Sequence, residues 1–531
     1  GFRNNSQRKM TMKRLVLMLL VICLLPGAAG AFAGEGTRLD PSSLPEDWAL
    51  VGEYSASPSD LERFSAQLGA QVVLLRNYLF STPIGQIQIN WVLTETETEA
   101  EALHELFLGF HPPEMVGRSG RRVLEIVTEY PELVEPAKAA LRFVPEEADP
   151  LDQAAVREYL SSWSWSVPDW ESAAHRLVAE LENYRVFLVG ESHGASCNQQ
   201  LESAILECLV LQGGVRNLLL ELSPSIVGFL REYVETGDET LLDLAFSSVK
   251  GTYFFTQENY AHWQNIRTLR QALPAGESLR LIGLDVEHQP LLALQYLQRL
   301  MDHGQISGLS TTKLANIGRV LQGELSLDYA GAVSFVEGLL LELETEQVQD
   351  ALGGLVDEFE LVLSSLLAGL KLHTIEDGVA WNNSRDQAMY RNFLTQVSPA
   401  GGDRYFGQWG LNHVFQGQQA GVDWLGSLIS NTDGFSNAVC SLAIVYADGE
   451  QRSQDGKQVL PLSNYAGNNQ ILAELAGDEP LLVKLDGINS PFGQKLVWKL
   501  RDAAPTRGVT TDYFQYLLFV PKTTASKPLA L

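Results

Sequence analysis

Residues 185–202 read RVFLVGESHGASCNQQLE, an apolar run that stops on Gly190-Glu191-Ser192-His193-Gly194. Two kinds of chemistry fit these five residues. Ser192 is the centre of G-x-S-x-G, the turn that presents a serine nucleophile between a strand and a helix. Glu191 and His193 flank it, and a glutamate beside an imidazole can orient a general base or share a metal ion. Gly190 and Gly194 would let the backbone turn and a substrate come close.

The surrounding elements weigh on the choice. The segment ASCNQQLESAILECLVLQ places Leu201, Ala204, Ile205, Cys208 and Leu209 at helical spacing, so strand, turn and helix follow in the order an elbow requires. A serine hydrolase of that type also needs several strands and an oxyanion loop before its nucleophile, with Asp and then His well separated after it. Here the preceding WESAAHRLVAELENY is helical in pattern, no His-Gly-Gly motif occurs, and Asp285 and His288 are nearly adjacent.

From residue 154 onward, helical stretches alternate with apolar runs at 185–190, 216–222, 278–286, 403–411, 438–447, 480–486 and 514–520. Strands covered on both faces look like this. The pattern predicts an α/β domain over 154–531 with a mostly parallel central sheet flanked by helices. Residues 290–380 are Leu-rich at helical spacing and predict a helical insertion. Residues 44–143 predict a separate small α+β domain, with strands in WALVGEYS, AQVVLLRNYLF and GQIQINWVLT and helices in PSDLERFSAQLG and ETEAEALHELFLGF. The polar, Pro-bounded VPEEADPLDQ, 144–153, predicts a linker.

Sites in open α/β sheets lie beyond the carboxyl ends of the strands. The polar residues at those ends are Glu191 and His193, then Glu221, then Asp285, Glu287 and His288, then Asn412 and His413. The G-x-x-H spacing occurs twice, at Gly190–His193 and Gly410–His413. Two strand-end histidines with Glu191 and Glu221 would suit one activated water or one divalent metal.

These residues carry a resemblance. LVGESHG, LLLELSPSIVGFLREYVETGD, LRLIGLDVEH, NSRDQAMYRNF and GQWGLNHVFQ resemble the superfamily joining erythromycin esterase-like, haem-binding ChaN-like and Tiki/TraB proteins, over about 185–420. The resemblance implies that His193 is the general base that activates water, helped by Glu191 and Glu221, with His413 completing the site. It implies Arg385 as a clamp or oxyanion partner. One residue separates Glu191 from His193, closer to the ChaN-like and Tiki-like spacing, whereas the Tyr-Val-x-x-Gly and Arg-Asp-x-x-Met stretches are more esterase-like. The chain therefore stands between subfamilies, and the resemblance carries no substrate.

Composition bounds the rest. The 531 residues carry 38 Lys+Arg against 65 Asp+Glu, a net charge of -27, which disfavours nucleic acid and anionic membranes as partners. Met12-Lys13-Arg14 followed by LVLMLLVICLLPGAAGAFA predicts a signal peptide cut near Ala33, with residues 1–11 as upstream translation. A secreted or periplasmic protein follows, free of the membrane after cleavage. Beyond Cys23, the cysteines are Cys197, Cys208 and Cys440. Cys197 and Cys208 would lie ~16 Å apart on one helix, too far for a disulfide. All three read as small core residues. Glu258 and His262 share a helical face and read as a solvated or capping pair; Trp163, Trp165 and Trp170 read as packing.

The expected function is an exported hydrolase acting on an ester, or second a peptide, with a divalent metal as an optional cofactor held by His193, His413, Glu191 and Glu221. The rivals are a ChaN-like haem or iron carrier without catalysis and a serine hydrolase using Ser192.

Overall fold

In a computed structural model of the chain, the residues described are 37–39, 44, 45, 47–56, 58–141, 143–145, 153–463, 470–493 and 508–530. The expected signal peptide lies outside them. No helix among the described residues is long and apolar enough to cross a membrane.

The first unit is a five-stranded antiparallel sheet. Its strands are β2 (Ala49–Ser55), β3 (Val72–Ser81), β4 (Gln86–Thr94), β5 (Val116–Ser119) and β6 (Arg122–Thr128), in the order β2-β3-β4-β6-β5. Helices α1 (Pro58–Leu68) and α2 (Glu97–Leu108) cover one face. Phe64, Leu75, Val92, Leu103 and Phe107 form the core there, while Tyr78, Phe80, Ile87, Ile89 and Ile126 point to the other side. A capping box of Thr96 and Glu99 starts α2, satisfying backbone N–H groups that the first helical turn leaves open. A short pair, β1 (Thr37–Leu39) with β7 (Phe143–Pro145), joins this unit's two ends. The expected linker at 144–153 thus begins inside a strand; residues 146–152 lie outside the described set.

The second unit is built on β8 (Ser164–Ser166), β9 (Val186–Glu191), β10 (Asn217–Leu220), β11 (Arg280–Gly283), β12 (Tyr405–Gly410), β13 (Val439–Arg452), β14 (Val459–Pro461), β15 (Leu481–Lys484) and β16 (Tyr516–Thr523). The order is β11-β10-β12-β9-β13-β16-β15-β8, with β14 paired off β13. From β11 to β16 every pairing is parallel; β15 and β8 close one edge antiparallel. All six residues of β9 are buried, as its apolar run predicts. Phe187 and Val189 face one core cluster and Val186 and Leu188 the other, so the strand is covered on both sides.

The helices that position the site are α3 (Trp170–Val178), α4 (Asn198–Leu211), α5 (Pro224–Thr236) and α6 (Gln257–Ala272). The expected insertion is present between β11 and β12. It comprises α7 (Pro290–His303), α8 (Tyr329–Leu343) and α9 (Val356–Leu372) with shorter turns, and it leads into α10 (Gly378–Gln396). Cys197, Cys208 and Cys440 are all free.

Candidate active site

Four adjacent strands, β11, β10, β12 and β9, deliver their carboxyl ends to one crevice. Glu191 ends β9, Glu221 follows β10, Asp285 follows β11, and His413 sits in the 3-10 turn Leu411–Val414 after β12. Helix α10 supplies Arg385 and Asp386 from across the crevice. All five residues expected at the site, His193, Glu191, Glu221, His413 and Arg385, therefore come together.

His193 Nδ1 lies 2.8 Å from Glu191 Oε1. Its Nε2 faces Glu221 Oε2 at 3.9 Å. The imidazole is 30% exposed, while both carboxylates are nearly buried. The Tyr253 ring stacks on it at 4.1 Å with 7° between the planes. Gln408 Nε2 donates to Glu191 Oε2 at 3.0 Å and to the Asn198 carbonyl at 3.0 Å, which fixes the carboxylate. Burial pushes the Glu191 carboxyl up; contact with His193 opposes this, and Glu202 and Glu221 add to it.

Behind this pair lies a denser charge cluster. Arg385 donates through Nε to Asp285 Oδ1 at 2.9 Å and through Nη2 to Asp285 Oδ2 at 2.8 Å and Glu221 Oε1 at 3.0 Å. Burial alone would raise both carboxyls, but it loses. Arg385 and His288 hold Asp285 far below the carboxylate range, and His413, His193 and Arg385 hold Glu221 well below it. Glu221 Oε2 also accepts the Gly410 N–H at 2.7 Å. His413 stands between carboxylates, Asp386 at Nδ1 (2.9 Å) and Glu221 at Nε2 (3.3 Å). Burial would lower its pKa, yet the two carboxylates push it up to about 10. Arg385 Nη1 lies 3.1 Å from its Nε2. Asp386 also accepts the Leu425 N–H at 2.7 Å, tying α10 to the turn beyond β12.

This arrangement bears on a metal. Both His413 nitrogens face carboxylates, and the positive charge between Glu221 and Asp285 is the Arg385 guanidinium. Arg385 reaches both Glu221 Oε1 and His413 Nε2, so an ion held by the expected four donors would have to displace the guanidinium.

Ser192 is 1% exposed, whereas an elbow serine presents its Oγ to the crevice. The expected Glu258–His262 pair parts company. Glu258 accepts the Lys527 N–H at 2.9 Å, and buried His262 turns to Ser203 Oγ at 2.7 Å. The tryptophans pack as expected: Trp163 stacks on Tyr159, and Trp165 and Trp170 lie against the core.

The loop bearing His193 is clamped from two sides. Gly194, at φ +83°, lets its carbonyl accept Arg452 N–H at 2.9 Å from β13 and Ser526 N–H at 2.8 Å from the segment after β16. Any Cβ there would meet the Arg452 backbone at 2.5 Å. The same downstream segment pairs with the Tyr253 side, where Leu529 N–H reaches the Phe255 carbonyl at 3.1 Å.

Asp386, Gln408 and Tyr253 were not anticipated from sequence. Asp386 stood beside Arg385 in NSRDQAMYRNF, an acid next to a candidate and so a usable signal; Tyr253, in the loop GTYFF, carried none.

A parallel α/β sheet whose strand ends converge histidines, glutamates and an arginine defines the class. Solved structures share that fold. A Bacillus cereus protein matches at TM-score 0.56 and 16% identity, covering 72% of this chain and all of that one. A protein described as a succinoglycan biosynthesis protein matches at 0.55 and 12% identity, covering 72% of this chain and all of that one. An erythromycin esterase mutant in its open conformation matches at 0.51 and 15% identity, covering 68% of this chain and 96% of that one. The fold is therefore erythromycin esterase-like. No family model matches the sequence, and no curated protein does.

Proposed function

We propose that this protein is a hydrolase in which His193 activates water for attack on an ester carbonyl. The observation that carries the reading is the 2.8 Å contact between His193 Nδ1 and Glu191, which leaves the partly exposed Nε2 toward the crevice. With Nδ1–H donated to the carboxylate, Nε2 has the lone pair of a base. A water hydrogen-bonded at ~2.8 Å to both Nε2 and Glu221 Oε2 subtends about 90° across their 3.9 Å gap, an angle water tolerates. His193 takes its proton as it attacks and returns it to the leaving alkoxide. Arg385 and the His413 imidazolium supply positive charge beside the developing oxyanion. The esterase that shares the fold supports an ester over a peptide, and the leader-like residues 12–33 support export.

The test is hydrolysis of a panel of activated esters and lactones by the chain and by His193→Ala, with and without chelator. The expected result is a chelator-insensitive activity that falls about 10²- to 10⁴-fold in the variant. Undiminished activity in a folded His193→Ala protein would sink the reading. So would an inactive chain that acquires a Soret band when haem is added.

A further inference from the structure

Away from the crevice, α3 and α4 pack side by side. Glu171 and His175 lie one turn apart on α3, with Glu171 Oε1 3.4 Å from His175 Nε2. Cys208 on α4 faces them, and the carboxylate oxygen, imidazole nitrogen and thiol sulfur all lie within 4.8 Å of one another. Ten residues, ~15 Å along the helix, separate Cys208 from Asn198, which anchors the His193 loop. The cluster is thus a separate place in the molecule.

We propose that Glu171, His175 and Cys208 form a binding site for a zinc-class divalent cation. The spacing is the first argument. A carboxylate oxygen and an imidazole nitrogen, each ~2.0–2.1 Å from a tetrahedral metal, lie roughly 3.3 Å apart. The Glu171–His175 edge already has that length at 3.4 Å. A thiolate at ~2.3 Å would lie roughly 3.6 Å from each of the other donors. The remaining closure is about 1 Å at most, within reach of the exposed Glu171 and His175 side chains.

The donor chemistry is the second argument. A thiolate with an imidazole and a carboxylate selects zinc and its softer neighbours over magnesium or calcium. Cys208 is 4% exposed and has a weak hydrogen-bond neighbour, Gln212 Nε2 at 3.9 Å. Arg176, the next residue on α3, turns away to stack over Trp165 at 4.4 Å and leaves the three donors without its charge. Three protein ligands leave a fourth position for water or an exogenous ligand, the pattern of an open site. Bound metal would join the helix before β9 to the helix after it.

The experiment is a Co(II) titration of the chelator-treated full chain in a Cys23→Ser background, followed by absorption. The expected result is a thiolate-to-cobalt charge-transfer band that saturates at one equivalent and is displaced by Zn(II). Cys208→Ser abolishes it. Because Cys208 is buried, His175→Ala and Glu171→Gln, at exposed positions, provide the variants that keep their fold. Each weakens Co(II) binding about tenfold or more, since even loss of a supporting neighbour costs that much. The proposal is overturned by no band at saturating Co(II), by a band that survives Cys208→Ser, or by unchanged affinity in His175→Ala and Glu171→Gln. None of these outcomes depends on the activity of the His193 crevice.

Discussion

Gly410 leaves no room for a side chain beside His193: a methyl placed on the Gly410 Cα would lie 2.8 Å from His193 Nε2. The backbone there, at φ -51° and ψ 134°, is open to any residue, so the lack of a side chain serves the imidazole and not the turn. Gly410→Ala is therefore expected to push His193 off Glu191 with little effect on folding. Displacing a catalytic group by about 1 Å can cost about 10²-fold in rate. Ester hydrolysis and a urea melt of the same variant check this; full activity would mean that His193 moves freely or is not the base.

Arg385 bridges two buried carboxylates, Glu221 and Asp285. Arg385→Ala strands both, and breaking a buried ion pair costs about 3–5 kcal/mol. Arg385→Lys keeps the charge but not the planar fork that reaches both partners, so it should recover part of the loss and not all. Urea unfolding near neutral pH measures both variants. Equal stability of Ala, Lys and wild type would show that the guanidinium does not hold the cluster together.

His413 is expected to stay protonated well past neutral pH, with its pKa pushed up to about 10 by Asp386 and Glu221. A histidine whose folded pKa exceeds its unfolded value of about 6.5 lends stability that is complete below the unfolded value. That stability is lost as pH rises through about 10. Nitrogen-detected NMR of the His413 ring at pH 8 reads its state directly. A neutral ring would mean that Arg385 Nη1 donates to Nε2.

Glu287 behaves in the opposite sense to most acids. It caps the start of α5 by accepting Ser225 N–H at 2.8 Å and Ser225 Oγ–H at 2.6 Å, yet burial pushes its carboxyl up to about 7. Its raised folded pKa means that stability is complete below the unfolded value and falls as pH rises toward 7. Glu287→Gln, with nothing to ionise, should lose about 1–3 kcal/mol less than wild type between pH 4 and pH 8. Parallel pH dependences for the two proteins would argue that the helix start keeps the carboxylate charged at no penalty.

The parallel sheet was legible because buried strands write themselves as unbroken apolar runs, and β9, β10 and β11 lie where RVFLVG, RNLLLEL and SLRLIGLDV predict. The site was legible for a related reason: carboxylates and imidazoles have little cause to end an apolar strand unless a crevice waits there. What a linear chain hides is partnership. Nothing local says that Arg385 faces Asp285 across the crevice, or that its guanidinium also reaches Glu221 and His413. Tyr253 was invisible because its stacking on His193 depends on two loops meeting. Ser192 misled because a short motif records order and not burial.

The clamp on Gly194 sets a timetable. Its carbonyl is held by Ser526, a residue 332 positions downstream. Contacts between such distant partners form late, after the intervening chain has closed on itself. A chain emerging from the ribosome would hold the His193 loop without this second clamp until Ser526 has been made.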